Sequence, residues 1–469
     1  MDFSFKFVVF TLCLHFAWCA VDTYTAAYIG ENVKTENHGR MIYEASKMNA
    51  DILVLPSPAL SRFENLQEVC SADKNDQIIK SISDASKTGK LYVVAHILEN
   101  MSCQGQQEII KNNLVFDRDG SIVAVYRKPL HSSTKKCNIT NTVATTFTTD
   151  FGVTFGLLME EDLVLKNTKD MKGVKNFVLT GKSSTSIPFL SANEFSLSWS
   201  YATNVNLISS NGIFGGRAGL KTGSGKFFVT ELLKDGGEAQ PTINFYGPTK
   251  LTNFPGEDLS QYTIRPLDIE ASGNGYQETV CHDTFCCDFH LKTSFLGNLK
   301  EVNYGLVAFS GVQHYDNQNS IGMQSCALLA CAGLYKRSCF LSSENTTNIM
   351  FDELTISGNF TKNSVQFPII HLISRTSVEA KDFSMNEHIK NNQKQVSTEL
   401  YKVKDIIRFG ILSRDYRKDF VSFDQNTTST STDYSDYLSR ENVEEFFDYL
   451  WIRLRVVIFV VSIYILEML

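Results

Sequence analysis

Three short stretches place reactive side chains where an apolar strand stops. FGLLM, residues 155–159, runs straight into Glu160, Glu161 and Asp162; DILVLP is followed by Ser57; and VAVYRK closes on Lys128. In sheets covered on both faces, chemistry collects at the carboxyl ends of the strands, so Ser57, Lys128 and Glu160 are the candidate site residues. Taken alone, Lys128 reads as a surface lysine and Ser57 as a turn residue before Pro58. Glu160 resists so plain a reading, because a carboxylate on a core strand has to be paired or protonated. The three acids could instead hold a metal or work as an acid pair. Successive strand residues point to opposite faces, however, so Glu160 and Glu161 diverge unless the chain turns there, and no histidine accompanies them. Neither a metal site nor a cofactor is expected.

The elements that must carry these residues alternate. Strand YTAAYIG leads to helix HGRMIYEASKMNA, with Met41, Ile42, Ala45 and Met48 on one face, and then to strand DILVLP. Helix NDQIIKSISDASKTG precedes strand LYVVAHIL. IIKNNLVFDRDGSIVAVYRK reads as a hairpin that reverses at Asp117 to Gly120. FGVTFGLLM, NFVLTG and NVNLISS are further strands, with a helix in PFLSANEFSLSWSYAT. Strands apolar on both faces imply a sheet buried on both sides, and the class is α/β.

The whole chain has 469 residues, 43% hydrophobic and 20% charged, which suits two globular domains. A formal charge of −7 without a basic block argues against nucleic acid as a partner. Residues 1–19 join one lysine to a short apolar run and small residues at Ala17 and Cys19, the layout of a secretory signal peptide. Asn100, Asn138, Asn345, Asn359 and Asn426 each head a glycosylation triplet. In an oxidising compartment Cys70, Cys103, Cys137, Cys281, Cys286, Cys287, Cys326, Cys331 and Cys339 are disulfide candidates, and their odd number leaves one thiol over. Cys70 and Cys103 flank one helix and strand, which suits a bridge closing that unit. Residues 426–469 run from small residues through a polar spacer to the apolar VVIFVVSIYIL, the layout of a GPI-attachment signal. A short transmembrane anchor is the second reading of that tail.

Strand-Pro-x, hairpin-Tyr-x-Lys and Phe-Gly-strand-x-x-Asp, in that order, resemble the carbon–nitrogen hydrolase (nitrilase) superfamily. TGSGKF and IPFLSANEFSLSWSYATNVNL, with CHDTFCCDFHLK, YGLVAFSG, CALLAC and FDELTISGNF, narrow the likeness to its vanin and biotinidase branch, of the insect vanin-like kind. The resemblance implies an α-β-β-α sandwich over residues 22–245, and a cysteine-rich, mostly β domain over 255–415. It also implies a site built on a Glu base, a Lys that stabilises the tetrahedral intermediate and a Cys nucleophile. Ser57 occupies the Glu position and Glu160 the Cys position, while Lys128 and Asp162 match. The branch's pocket tryptophan falls on Ser183. A serine does not take a thiol proton as a carboxylate does, and a carboxylate is a poor nucleophile toward an amide. None of Cys70, Cys103 and Cys137 follows a buried strand with a base beside it, so none takes the lost place. The expectation is a catalytically inactive, secreted and GPI-anchored glycoprotein with an unidentified ligand or protein partner, Glu160 pairing with Lys128. The alternative is an amidohydrolase of pantetheine-like or biotinyl-amide substrates.

Overall fold

The computed structural model describes residues 22–29, 37–56, 72–103, 106–130, 146–159, 161–167, 172–181, 187–209, 212–221, 227–237, 240–244, 259–296, 303–315, 319–331, 348–372, 377–390, 393–404 and 406–419. Ser57, Cys70, Cys137, Asn138, Glu160, Ser183, Cys339, Asn345 and Asn426 lie outside them, as do the N-terminal apolar run and the C-terminal tail.

The first half is built from β1 (Thr23–Ile29), α1 (His38–Lys47), β2 (Ile52–Val54), α2 (Ala72–Gly89), β3 (Tyr92–Cys103), β4 (Gln106–Phe116) and β5 (Ile122–Pro129). There follow β6 (Thr146–Thr148), β7 (Thr154–Met159), α3 (Asp162–Leu165), β8 (Asn176–Thr180), α4 (Ala192–Thr203), β9 (Asn206–Ser209), β10 (Gly212–Gly215) and β11 (Phe227–Leu233). One mixed sheet has the order β11-β1-β2-β3-β4-β5, the other β10-β9-β8-β7-β6. β1, β2 and β3 are parallel, as are β7, β8 and β9.

Side-chain alternation explains why the strands read as unbroken apolar runs. Tyr24, Ala26, Tyr28, Ile52, Val54 and Val94 meet Phe155, Leu157, Met159 and Val178 of the other sheet in one core. Their neighbours Ala27, Ile29, Leu53, Val93 and Ala95 turn outward onto Ile42 and Ala45 of α1 and Ile82 of α2. Each strand therefore needs apolar residues on both faces. Met48, expected on the buried face of α1, is 51% exposed. The helix closes at Lys47 and Asn49 takes a left-handed backbone, φ 55°, so the helical period no longer applies there. The β4–β5 hairpin turns as its sequence demands: Gly120 has φ 79°, and Asp117 Oδ1 accepts from the backbone N–H groups of Asp119 and Ser121, each at 2.9 Å.

The outer face of the second sheet is covered by α4, which starts on a capping box. The Glu194 N–H donates to Ser191 Oγ, and Glu194 Oε2 accepts from the Ser191 N–H. Trp199, fully buried, packs edge-on against Phe177 with centroids 5.3 Å apart. The other side of α4 faces the second half, where Phe195 meets Phe367 at 5.0 Å and Ser198 Oγ donates to the Pro368 carbonyl at 2.7 Å.

That second half is a sandwich of two five-stranded sheets whose strand pairs are all antiparallel. One runs in the order Thr263–Pro266, Asn303–His314, Ser320–Cys331, Ile406–Arg414 and Val365–Leu372; the other Tyr276–His282, Phe285–Phe295, Ile349–Thr361, Gln393–Lys404 and Phe383–Lys390. Disulfide Cys287–Cys326 ties the two sheets, and Cys281–Cys286 bridges a hairpin within one. Cys331 is disulfide-bonded as well. Among the described residues no helix is long and apolar enough to cross a membrane.

Candidate functional site

The strand alternation that builds the inner core also gathers polar groups at its rim. Val94, Val115, Ala124 and Val178 point into the space between the sheets. Two residues further along their strands, on the same face, stand His96, Asn113, Tyr126 and Thr180, with Lys111 and Lys128 one step beyond on β4 and β5. Between the two sheets, these side chains meet the acids that follow β7.

The chain does turn after β7. Asp162 opens the short helix α3 and is buried; Glu161 sits at its N-cap. Lys128 Nζ donates to Glu161 Oε1 at 2.7 Å and to Asp162 Oδ1 at 2.8 Å. Asp162 Oδ2 accepts from the Tyr126 hydroxyl at 2.9 Å and from the Met159 N–H at 2.8 Å. Lys166 Nζ lies 3.4 Å from Asp162 Oδ1 and donates to the Tyr126 oxygen at 2.6 Å. Buried Lys111 Nζ reaches Glu161 Oε1 at 3.4 Å. Glu160, expected to face Lys128, lies outside the described residues; among the described residues the acceptors on Lys128 are Glu161 and Asp162.

These contacts decide the charge states. Burial alone would lower the pKa of Lys128, but the negative charges of Asp162 and Glu161 outweigh it and raise the ammonium above its ordinary value. Burial alone would raise Glu161, yet Lys128 and Lys111 hold it down at about 2. Burial, with the charge of Asp162 beside it, pushes the Tyr126 phenol up. Lys166 is lowered by burial, and the charge of Lys128 adds to that against the pull of Asp162. The cluster is a lattice of fixed charges, with carboxylates and a phenol around Lys128.

A neutral network borders it. Asn113 Nδ2 donates to the Leu158 carbonyl at 3.2 Å, so Oδ1 is the acceptor for His96 Nδ1 at 2.8 Å and for the Thr180 hydroxyl. Burial holds His96 down at about 4; Lys111 adds to this, while the Asn113 hydrogen bond and Glu161 oppose it. His96 is therefore an uncharged imidazole at neutral pH.

Of the three residues read from the sequence, the structure places Lys128; Ser57 and Glu160 are outside the described residues. Lys111, His96, Asn113, Tyr126, Thr180 and Lys166 were missed. Their signal was available in part: KNN interrupts IIKNNLVF, and polar residues at alternate positions of a strand otherwise buried on both faces mark a polar lining. Among the described residues no group of three or more His, Cys, Asp or Glu side chains is arranged to hold a metal ion.

Two measurements test the lattice. Lys128→Met takes from Glu161 and Asp162 their shared counter-ion and should cost about 3–5 kcal/mol in chemical denaturation, whereas Lys128→Arg, which keeps the charge, should cost much less. The pH dependence should fall in two steps. His96, held at about 4 against an ordinary 6.5, contributes stability that is complete above 6.5 and lost as pH falls through 4. Glu161, held at about 2 against 4.5, does the same between 4.5 and 2. His96→Gln should flatten the upper segment and Glu161→Gln the lower one. Buried His38, also held at about 4, and Glu194, also at about 2, keep a remainder of each.

Similarity to known proteins fits this architecture. Residues 31–149 match the carbon–nitrogen hydrolase family and residues 252–419 the vanin C-terminal domain. Vanin-like protein 3 of Drosophila melanogaster is 25% identical over 70% of this chain and 74% of its own. Vanin-like protein 2 from the same organism is 24% identical over 81% and 86%. A solved amidase from Nesterenkonia sp. overlaps more loosely, with a TM-score of 0.34 at 13% identity over 45% of this chain and 91% of its own. With a hydrolase-type double sheet followed by a disulfide-tied β sandwich, the chain is a vanin-like member of the carbon–nitrogen hydrolase (nitrilase) superfamily.

Proposed function

We propose that this vanin-like chain is a catalytically silent, secreted glycoprotein, held at the cell surface by a GPI anchor, that keeps the hydrolase fold for binding. The observation that carries this reading is the state of Lys128. Two of its three ammonium protons are committed to Glu161 and Asp162, at 2.7 and 2.8 Å. A lysine that stabilises a tetrahedral oxyanion needs that charge and those protons for the substrate. Here they hold two carboxylates of the protein instead.

The sequence supports the same conclusion from the other two positions, with Ser57 where the branch has its general base and Glu160 where it has its nucleophile. Secretion and the anchor rest on the apolar N-terminal run, the glycosylation triplets and the tail. Asn359, which heads one triplet, is exposed near the end of the second-half strand Ile349–Thr361, and Asn100 is half-buried in β3.

Purified protein should release neither cysteamine from pantetheine nor biotin from biocytin above the uncatalysed rate. Turnover abolished by Lys128→Ala in a variant that stays folded would make it an amidohydrolase instead. On cells, phosphatidylinositol-specific phospholipase C should free the protein into the medium. Release by detergent alone would replace the lipid anchor with a short membrane-spanning tail.

A further inference from the structure

The two disulfides at adjacent positions 286 and 287 sit in opposite environments. Strand residues alternate in direction, so Cys286 and Cys287 leave Phe285–Phe295 from opposite faces. Cys287 points into the core, where both it and Cys326 are buried, and their bond joins the two sheets across 39 residues of chain. Cys286 points outward to Cys281, its direct partner in the register of the Tyr276–His282 hairpin, and Cys281 is exposed. Tyr276–His282 is moreover an edge strand, so nothing in its sheet covers the far side.

The Cys281–Cys286 bond also does little to hold the hairpin. It joins residues five apart, a loop too short to take much entropy from the unfolded chain. The hairpin has seven paired positions, from Tyr276↔Leu291 to His282↔Phe285, and a two-residue turn in which Asp283 takes the left-handed backbone, φ 53°. That backbone pairing, independent of the sulfurs, sets Cys281 and Cys286 directly opposite each other.

We propose that Cys281–Cys286 is a thiol–disulfide exchange site for small extracellular thiols, with Cys287–Cys326 as the inert structural bond beside it. A thiolate RS⁻ attacks Cys281 Sγ; the Sγ–Sγ bond breaks, Cys286 leaves as a thiolate, and a Cys281–S–S–R mixed disulfide forms. A second RS⁻ attacks the R sulfur, RSSR departs, and Cys281 leaves as a thiolate. Both protein thiolates then take protons from water. In balance, two RSH are oxidised to RSSR while one protein disulfide is reduced to two thiols. The Cys286 thiolate, turned away from Cys287 by the strand alternation, does not pass the exchange on to the core.

The test is to incubate the intact glycoprotein with graded reduced glutathione under native conditions, trap with N-ethylmaleimide and map labels by peptide mass spectrometry. Cys281 and Cys286 should label at least about tenfold faster than Cys287 and Cys326. A glutathione adduct should appear on Cys281, and the far-ultraviolet circular dichroism should not change. Labelling of Cys287 and Cys326 at an equal or greater rate would overturn the assignment, and so would labelling that appears only with loss of structure. A Cys281→Ser, Cys286→Ser double variant should fold with its thermal midpoint shifted by less than about 4 °C and should lose the fast-labelling pair. Its failure to fold would show that the bond is structural after all.

Discussion

A half-buried ammonium shared by two carboxylates is the constraint around which the first half is arranged. Burying a charge between two apolar sheets is costly unless it is paired and hydrogen-bonded. Lys128 meets that condition only because β7 ends at Met159 and the chain turns into α3, which brings Glu161 and Asp162 to one point. Asp162 in turn is satisfied by Lys128, by the Tyr126 hydroxyl and by the Met159 N–H. Those bonds tie β5 of one sheet to the end of β7 in the other, so the sheets meet at this rim through charge and elsewhere through apolar side chains.

The turn that presents these acids is itself held from the second half. Buried Arg414 donates from Nε and Nη2 to the Val164 carbonyl of α3, at 3.2 and 3.0 Å, and pairs through Nη2 with Asp419 at 2.7 Å. A four-residue helix cannot satisfy its own terminal carbonyls, and Arg414 supplies what α3 lacks. A second tie crosses at α4. Glu194 closes the capping box and also contacts His371 and Arg408 of the second half. Burial would raise Glu194, but Arg408 and then His371 hold it at about 2. With Phe177, Trp199, Phe367 and Phe409 in one apolar cluster, the outer face of the second sheet and the β sandwich share a core. The sandwich is therefore a structural layer of the hydrolase half.

Much of this was legible in the sequence wherever a local rule decides the structure. The unbroken apolar runs announced sheets buried on both faces, and Asp117 to Gly120 announced the hairpin turn. Alternation in FDELTISGNF announced a half-exposed strand, and its burial alternates in the structure. What could not be read is set by register between distant strands. That Lys111 lies opposite Lys128 on β4 and β5, so that both reach Glu161, follows from a pairing offset by a bulge at Val115/Phe116. No spacing in the chain encodes it. Met48 failed for a different reason: apolar periodicity continues past the residue at which the backbone leaves the helix.

Lys128 also shows why a motif residue in its place says little by itself about chemistry. A lysine kept only for catalysis would be free to change once its nucleophile had gone. This one is not free, because among the described residues Glu161 and Asp162 would be left with Lys111 and Lys166 as counter-charges, at 3.4 Å. An uncompensated buried charge is among the most destabilising single changes a fold can suffer. The physical demand on Lys128 is thus the same with or without turnover, and its presence is explained by the charges it neutralises.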